Sequence, residues 1–200
     1  MAGARGVDLS FEDGARAVEL ARAAIHSFVL HGQREHPGSM REAFYQRTGA
    51  IVRLESTSVR GGLRGCAGEW DGTDQLGHAI VDAAIEAASA DSCGSEVGPA
   101  ELSNLTVGVC IVTDRLTTDD PEADLVLGRH GAAVRNGAAA AWLYPTLPIE
   151  HGWSAREYLD RTARKAGLGP DGWADGAATV ELFEGAVYRE RTPEGSVESF

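Results

Sequence analysis

The sequence predicts an α+β fold built on a mostly antiparallel sheet flanked by helices. Segments in which apolar and polar residues alternate, as in strands, are interleaved with three segments of helical periodicity. The step Asn136-Gly137 lies between two strand-like segments and predicts a tight hairpin with a type I′ turn. No predicted βαβ unit carries a Gly-x-Gly-x-x-Gly or phosphate-binding loop pattern, which argues against dinucleotide or nucleoside triphosphate chemistry.

Polar caps mark the beginnings of the three predicted helices, which span about residues 11–30, 74–90 and 154–165. The expected capping residues are Ser10 with Asp13, Thr73 or Asp74, and Ser154 with Glu157. Gly167 is the expected C-terminal cap of the third helix. Met40–Arg47 is consistent either with a short helix or with an extended entry to the first strand.

Alternating patterns predict strands at about 50–55, 63–67, 105–112, 132–135, 138–143 and 180–188, with strand character also at 125–127. Residues 114–124 are acidic and are expected to form a solvated connection. Residues 1–9 and 192–200 are expected to be flexible termini.

Length and composition indicate a protein with its own hydrophobic core. Two hundred residues suit one domain, and contents of 43% hydrophobic and 24% charged residues are typical of soluble globular proteins. The start of the chain lacks the apolar segment of a signal peptide, and no apolar run is long enough for a membrane span. We therefore expect a cytoplasmic protein that has no membrane partner.

The cysteines and the charge restrict the function classes further. Cys66, Cys93 and Cys110 are odd in number and lack a Cys-x-x-Cys spacing, which predicts neither a disulfide framework nor a structural zinc site. No metal or other cofactor is expected. Residues 1–70 hold nine arginines and eight acids, whereas the rest of the chain holds nine basic and 22 acidic residues. This acidic balance disfavours nucleic acid as a partner.

The segment 61–68, Gly-Gly-Leu-Arg-Gly-Cys-Ala-Gly, contains four glycines and one cysteine. Glycines this dense indicate positive φ angles or a close approach of another group to the backbone. In a strand, the period of two places Arg64 and Cys66 on one face, where a guanidinium stabilises the nucleophilic thiolate. The alternative is a packed cysteine in a glycine-rich hairpin.

Five sequence blocks carry a resemblance to a known family. Leu63–Gly68 resembles the Leu-Arg-Gly-Cys-Ile-Gly hallmark of the AMMECR1 domain family, and Gly128–Gly131 is similar to its Gly-x-His-Gly segment. Leu147–Trp153, followed by Lys165–Leu168 and Trp173, resembles the C-terminal signature of the family. The resemblance covers about residues 10–190 and implies a single domain of two lobes. It also implies a larger sheet-and-helix part, a smaller β-rich part and a cleft lined by the hallmark.

The resemblance implies an activity as well as a fold. Some actinobacterial members of the family occur in natural-product pathways and look like E/Z isomerases of polyene or cinnamoyl-type polyketide chains. By this resemblance we expect Cys66 to add reversibly to a conjugated acyl chain, with Arg64 beside it. Ala67 replaces the usual isoleucine and is expected to enlarge any cavity beside Cys66. A non-catalytic module that binds a small ligand or a protein is the alternative.

The remaining candidate site residues have less specific signals. Proton transfer is assigned to one of three side chains, each of which also suits a structural role in a turn or loop: His130, Glu150 and His151. Substrate contact is assigned to Gly65, Ala67, Gly68, Trp70 and Trp142. The expected substrate is a small molecule or a chain on an acyl carrier protein, which would dock on the arginine-containing segment 34–64.

Overall fold

The structure is a computed structural model that describes residues 7–38, 41–57, 62–89 and 95–200. The described chain divides into two compact units, a larger one of residues 7–112 with 186–200 and a smaller one of residues 113–185. The helices are α1 Phe11–His31, α2 Leu76–Ala88, α3 Pro121–Asp124, α4 Leu147–His151 and α5 Ala155–Lys165. Short 3-10 helices form at Glu42–Tyr45 and Pro99–Asn104.

Seven strands complete the fold: β1 Ala50–Ser56, β2 Gly62–Glu69, β3 Leu105–Thr117, β4 His130–Asn136, β5 Ala139–Leu143, β6 Thr179–Glu190 and β7 Val197–Ser199. The strand pairs described below are all antiparallel. The predicted class, α+β with a mostly antiparallel sheet flanked by helices, is therefore confirmed.

In the larger unit, β1 lies between β2 and β3. One face of these strands packs against α1 and α2, and residues such as Val52, Val109 and Ile80 are fully buried in this core. The alanine-rich side of α2 allows the helix backbone to approach the sheet closely. Because side chains alternate along a strand, the other face carries a different set of residues, including Arg53, Cys66 and Cys110.

In the smaller unit, β4 pairs with both β5 and β6. Helix α5 covers one face of these strands, and its side chains Tyr158 and Leu159 are fully buried there. The predicted Ser154–Glu157 capping box is present at the start of α5, as is the Ser10–Asp13 box at the start of α1. Local cap chemistry therefore sets where both helices begin.

Several sequence-based boundaries were wrong. The N-cap of α2 is Gln75 and not Thr73 or Asp74. Strand β3 continues to Thr117 and is followed by α3, so the expected acidic connection is partly regular structure. Residues 125–127 are not a strand, and the tail expected after residue 192 contains β7, which pairs with β6.

The predicted hairpin forms, but its turn type differs from the prediction. Asn136 pairs with Ala139, which leaves Gly137 and Ala138 as the two turn residues. Gly137 has a φ of 59°, whereas Ala138 has no positive φ. A type I′ turn needs positive φ at both positions, so this turn is not of that type. None of the described helices combines the length and apolar character needed to cross a membrane.

Candidate functional site

Strand β2 divides the hallmark residues between two faces. Gly65 and Ala67 are buried against the helical layer, and a Cβ on Gly65 would collide with the carbonyl oxygen of Ala87 in α2. These two residues therefore serve packing, and their assignment to substrate contact stays a prediction. Ala67 also lies on the face opposite Cys66, so its small size does not widen the space beside the thiol.

The glycine prediction is confirmed at two hallmark positions for different reasons. Gly65 is required by the close approach of α2. Gly68 has a φ of 125°, and a Cβ there would collide with the carbonyl oxygen of Ala50 in β1. Trp70, a predicted substrate contact, is 6% exposed directly after β2.

The side chain of Arg64 binds a carboxylate and two carbonyl groups of the segment 95–101. Its Nε lies 2.7 Å from Oε2 of Glu101, and its Nη2 donates to Oε1 of the same carboxylate at 3.0 Å. The guanidinium also donates to the carbonyl oxygens of Ser95 and Glu96. The hydrogen bond from Arg64, reinforced by the backbone N–H of Gly98, lowers the pKa of Glu101 to about 2. Arg64 thus fastens the residues around 95–101 to β2.

Arg53 is the arginine that the pairing of β1 and β2 places next to the thiol. Its Cα is the register partner of the Cα of Cys66, so the two side chains leave the same face of the sheet. Its Nη2 lies 2.8 Å from Oε1 of Glu55, and the two side chains are only 15% and 24% exposed. Sequence reasoning missed Arg53, because the signal is the register between two strands and not the spacing within one.

The thiols of the larger unit differ in their burial. Cys66 is half-buried, whereas Cys110 in β3 is fully buried. Burial raises the pKa of Cys110 to about 12, and electrostatic interaction with Cys66 acts in the same direction. Strand β1 lies between the two cysteines, and their partners on it, Arg53 and Ile51, are two residues apart. This separates the Cα atoms of the cysteines by about 12 Å and excludes a disulfide. Cys93 lies outside the described residues.

His130 begins β4 in the smaller unit and holds a turn. Its Nδ1 accepts a hydrogen bond of 3.1 Å from the backbone N–H of Val126, which leaves the proton of the neutral ring on Nε2. That Nε2 lies 3.6 Å from Oε1 of Glu184 in β6, and Arg129 approaches the same carboxylate oxygen at 2.7 Å. His130 is 9% exposed. The arrangement provides the structural role in a turn that the sequence left open beside proton transfer.

Glu150 and His151 lie on α4, and not in a loop. Thr146 Oγ1 donates a 2.6 Å hydrogen bond to Glu150 Oε1. The ring of His151 stacks on Trp153 at 4.7 Å between centroids. A Cβ on Gly128 would lie 3.0 Å from Ile149 Cγ1, so the turn around Gly128 packs against α4. The blocks Gly128–Gly131 and Leu147–Trp153 are therefore neighbours in this unit.

Trp142 in β5 is 8% exposed. Nζ of Lys165, the only lysine of the chain, lies 4.5 Å from the centroid of its ring and donates to the carbonyl oxygen of Trp142 at 3.1 Å. Of the predicted site residues, the larger unit thus holds Arg64 to Gly68 and Trp70. The smaller unit holds Trp142 together with the three proton-transfer candidates.

Comparison with known proteins agrees with the sequence blocks and the fold. The AMMECR1 family model matches residues 18–188. Protein VNG_2543C of Halobacterium salinarum is 60% identical in an alignment of 194 residues, and the alignment covers 93% of this chain and 92% of that protein. Protein MK0488 of Methanopyrus kandleri is 35% identical in an alignment of 200 residues that covers 96% of this chain and 95% of that protein.

The uncharacterized protein PH0010 from Pyrococcus horikoshii has a similar crystal structure. It matches with a TM-score of 0.89 at 30% sequence identity, and the match covers 96% of this chain and 98% of that one. A family match over most of the chain, relatives aligned nearly end to end and a shared fold lead to one conclusion. The chain belongs to the AMMECR1 family.

Proposed function

We propose that this protein is a cofactor-independent enzyme that uses Cys66 as a nucleophile to isomerise a conjugated acyl chain between E and Z forms. The observation that supports the proposal is the position of Cys66. It is a half-buried thiol on the sheet face turned away from α1 and α2, whereas Cys110 on the same face is fully buried. A nucleophilic cysteine must be reachable and ionisable, and Cys66 is the described cysteine that satisfies the first condition.

The proposed reaction needs no oxidant, reductant or added group. The Cys66 thiolate adds to the β-carbon of an alkene conjugated with a thioester carbonyl, and the π electrons move to the carbonyl oxygen as an enolate. The former double bond is now a single bond and rotates. The enolate then re-forms the alkene in the other geometry and expels the thiolate, so that every atom of the substrate is retained.

The substrate class that follows from this chemistry is a polyene or cinnamoyl-type polyketide chain, either free or bound to an acyl carrier protein. The structure gives little support to the idea that a carrier protein docks on segment 34–64. The described arginines there already have partners within the chain: Arg34 with Asp82, Arg41 with Asp13, Arg47 with the carbonyl of Thr73, Arg53 with Glu55, and Arg64 with Glu101.

The proposal is tested by incubating the full chain with conjugated polyene and cinnamoyl thioesters and separating the geometric isomers by chromatography. We expect the wild type and a Cys110→Ala variant to interconvert the isomers. A Cys66→Ala variant that keeps the wild-type circular dichroism spectrum is expected to lose the activity. Equal turnover by wild type and Cys66→Ala would eliminate the covalent mechanism.

A non-catalytic binding module is the second candidate, and one observation favours it. Arg64 and Gly65 of the hallmark make structural contacts, with Glu101 and with α2 respectively. Alkylation at neutral pH separates the two functions. Rapid alkylation of Cys66 with Cys110 spared favours the enzyme, whereas equally slow alkylation of both favours the module.

A further inference from the structure

The hallmark cysteine has a charged neighbour that lies on a different strand. Cα of Arg53 is the register partner of Cα of Cys66, and directly opposed residues of an antiparallel pair have Cβ atoms about 5 Å apart. Both side chains leave the face of β1 and β2 that is turned away from α1 and α2. The long side chain of Arg53 therefore has the Cys66 thiol within its reach.

Glu55 fixes where the charge of Arg53 lies. Residues two apart in a strand share a face, and Nη2 of Arg53 lies 2.8 Å from Oε1 of Glu55. The side chains are 15% and 24% exposed, so solvent screens the pair less than it would a pair at the open surface. An arginine held in this way loses little further side-chain freedom when it stabilises a nearby anion.

The other charged and titratable groups on this face of the larger unit do not compete for this role. Arg64 lies two residues from Cys66, but its guanidinium is bound by the Glu101 carboxylate and by two carbonyl oxygens. Cys110 on β3 remains a neutral thiol, since burial raises its pKa to about 12. Arg189 on β6 lies beside Gly108, the β3 partner of Arg53, and pairs with Glu198. Arg53 is also ion-paired, with Glu55, but it is the arginine whose Cα is the register partner of Cys66.

We propose that Arg53, held in place by Glu55, is the cation that promotes ionisation of Cys66. Arg53 is thus a positioning residue that acts through the thiol, and Glu55 positions Arg53 in turn. A guanidinium within about 4–6 Å of an acid favours the ionised form, and the thiolate is the species that attacks carbon. The inference deepens the proposed function, because it assigns to Arg53 the role that the sequence gave to Arg64.

The test measures how fast iodoacetamide alkylates Cys66 as a function of pH in the full chain. In this reaction the thiolate displaces iodide and a sulfur–carbon bond forms, so the rate follows the ionised fraction. Four proteins are compared: wild type, Arg53→Gln, Arg53→Lys and the matched control Arg64→Gln. Mass spectrometry of peptides separates the labelling of Cys66 from that of Cys110.

We expect Arg53→Gln to move the half-maximal pH of Cys66 alkylation upward by about one unit, a tenfold slower reaction at neutral pH. Arg53→Lys keeps the charge and is expected to restore most of the rate. Arg64→Gln is expected to keep the wild-type profile. A wild-type profile in Arg53→Gln, or a shift in Arg64→Gln alone, would overturn the inference.

Labelling of Cys110 in the same samples reports unfolding, because only a loss of structure exposes that fully buried thiol. If the pH profile of Cys66 alkylation shifts in Arg53→Gln while Cys110 stays protected from labelling, the shift is therefore electrostatic in origin. The outcome is also separable from the isomerase proposal. If Cys66→Ala keeps full turnover while alkylation still depends on Arg53, the proposed function fails and the pairing of Arg53 with Cys66 stands.

Discussion

The two units of the molecule hold their cores together with opposite kinds of chemistry. In the larger unit, the guanidinium of Arg22 on α1 binds both carboxylate oxygens of Glu190 at the end of β6. It also donates to the carbonyl oxygens of Leu102 and Leu105, and Glu190 accepts the backbone N–H of Val107 at 3.0 Å. The side chains of Arg22 and Glu190 are 11% and 5% exposed.

We call the Arg22–Glu190 pair the anchor of the larger unit, because it links α1 to several backbone groups. In the smaller unit, the anchor is a neutral group. The hydroxyl of Tyr158, on the fully buried side of α5, accepts the backbone N–H of Ala132 at 3.1 Å. It lies 2.7 Å from the carbonyl oxygen of Leu143 and 3.0 Å from that of Tyr144. One phenol thus contacts polar backbone groups of β4, of the end of β5 and of the residue after it.

The difference predicts how much stability each unit loses when its anchor is substituted. A buried ion pair repays its desolvation only when both members are present, so removal of one member leaves an uncompensated charge. A neutral hydroxyl has a smaller desolvation cost, and its removal leaves unpaired but uncharged groups. We therefore expect the charged anchor to be the more fragile under substitution.

The largest effect is expected from Arg22→Met, which leaves the Glu190 carboxylate in the core of the larger unit without its cation. We expect a loss of about 3–5 kcal/mol in the free energy of unfolding, measured by urea denaturation. Arg16→Met is the matched control, since the ion pair of Arg16 with Glu19 lies on the same helix and is 46% and 64% exposed. The control should cost less than about 1 kcal/mol. Equal losses in the two variants would show that burial of the pair is irrelevant.

A smaller effect is expected from Tyr158→Phe, which removes the hydroxyl and keeps the ring. The N–H of Ala132 and the carbonyl of Leu143 lose a partner within the core, which costs about 1–3 kcal/mol. Tyr45→Phe is the control, because Tyr45 is 52% exposed. Urea denaturation again measures the change. A loss larger than that of Arg22→Met would reverse the ranking of the two anchors.

The sequence was sufficient for features whose causes are local. The Ser10–Asp13 and Ser154–Glu157 boxes lie within four residues each, so their hydrogen bonds could be predicted from composition and spacing. The hallmark glycines were also predicted to have special backbone requirements, and Gly68 has the positive φ angle that this implies.

Features set by distant partners could not be predicted in this way. Glu190 is 168 residues from Arg22, and Glu101 is 37 residues from Arg64. Which residue faces Cys66 depends on the register of β1 and β2, and this register shifts at Leu54/Glu55. Spacing within β2 therefore singled out Arg64 as the neighbour of Cys66, whereas the register of the two strands makes Arg53 its partner on β1.

The smallest expected effect concerns two glutamates that occupy the same cap position, one in each unit. Glu101 is the third residue of the 3-10 helix Pro99–Asn104, and Glu157 is the third residue of α5. The hydrogen bond from Arg64 lowers the pKa of Glu101 to about 2, from an ordinary value of 4.5. In Glu157 the backbone N–H and then the hydroxyl of Ser154, both neutral groups, lower the pKa.

A folded-state pKa below the ordinary value means that ionised Glu101 stabilises the fold above pH 4.5. This stabilisation is lost as the pH falls from 4.5 towards 2. Glu101→Gln should therefore be slightly less stable at neutral pH, by less than about 1 kcal/mol because the side chain is 40% exposed. Its stability should also decline less between pH 4.5 and 2.

Thermal unfolding followed across this pH range measures both glutamate variants. Part of the acid-induced decline in stability should remain in Glu101→Gln, because the pKa of Asp13 is also below its ordinary value. Burial opposes that lowering, but hydrogen bonds from Ser10 and Arg41 outweigh it. Glu157→Gln should change the decline less than Glu101→Gln, since it removes a contact with neutral groups and not one with a guanidinium. If Glu157→Gln flattens the decline as much as Glu101→Gln does, the charge of Arg64 contributes nothing beyond an ordinary cap.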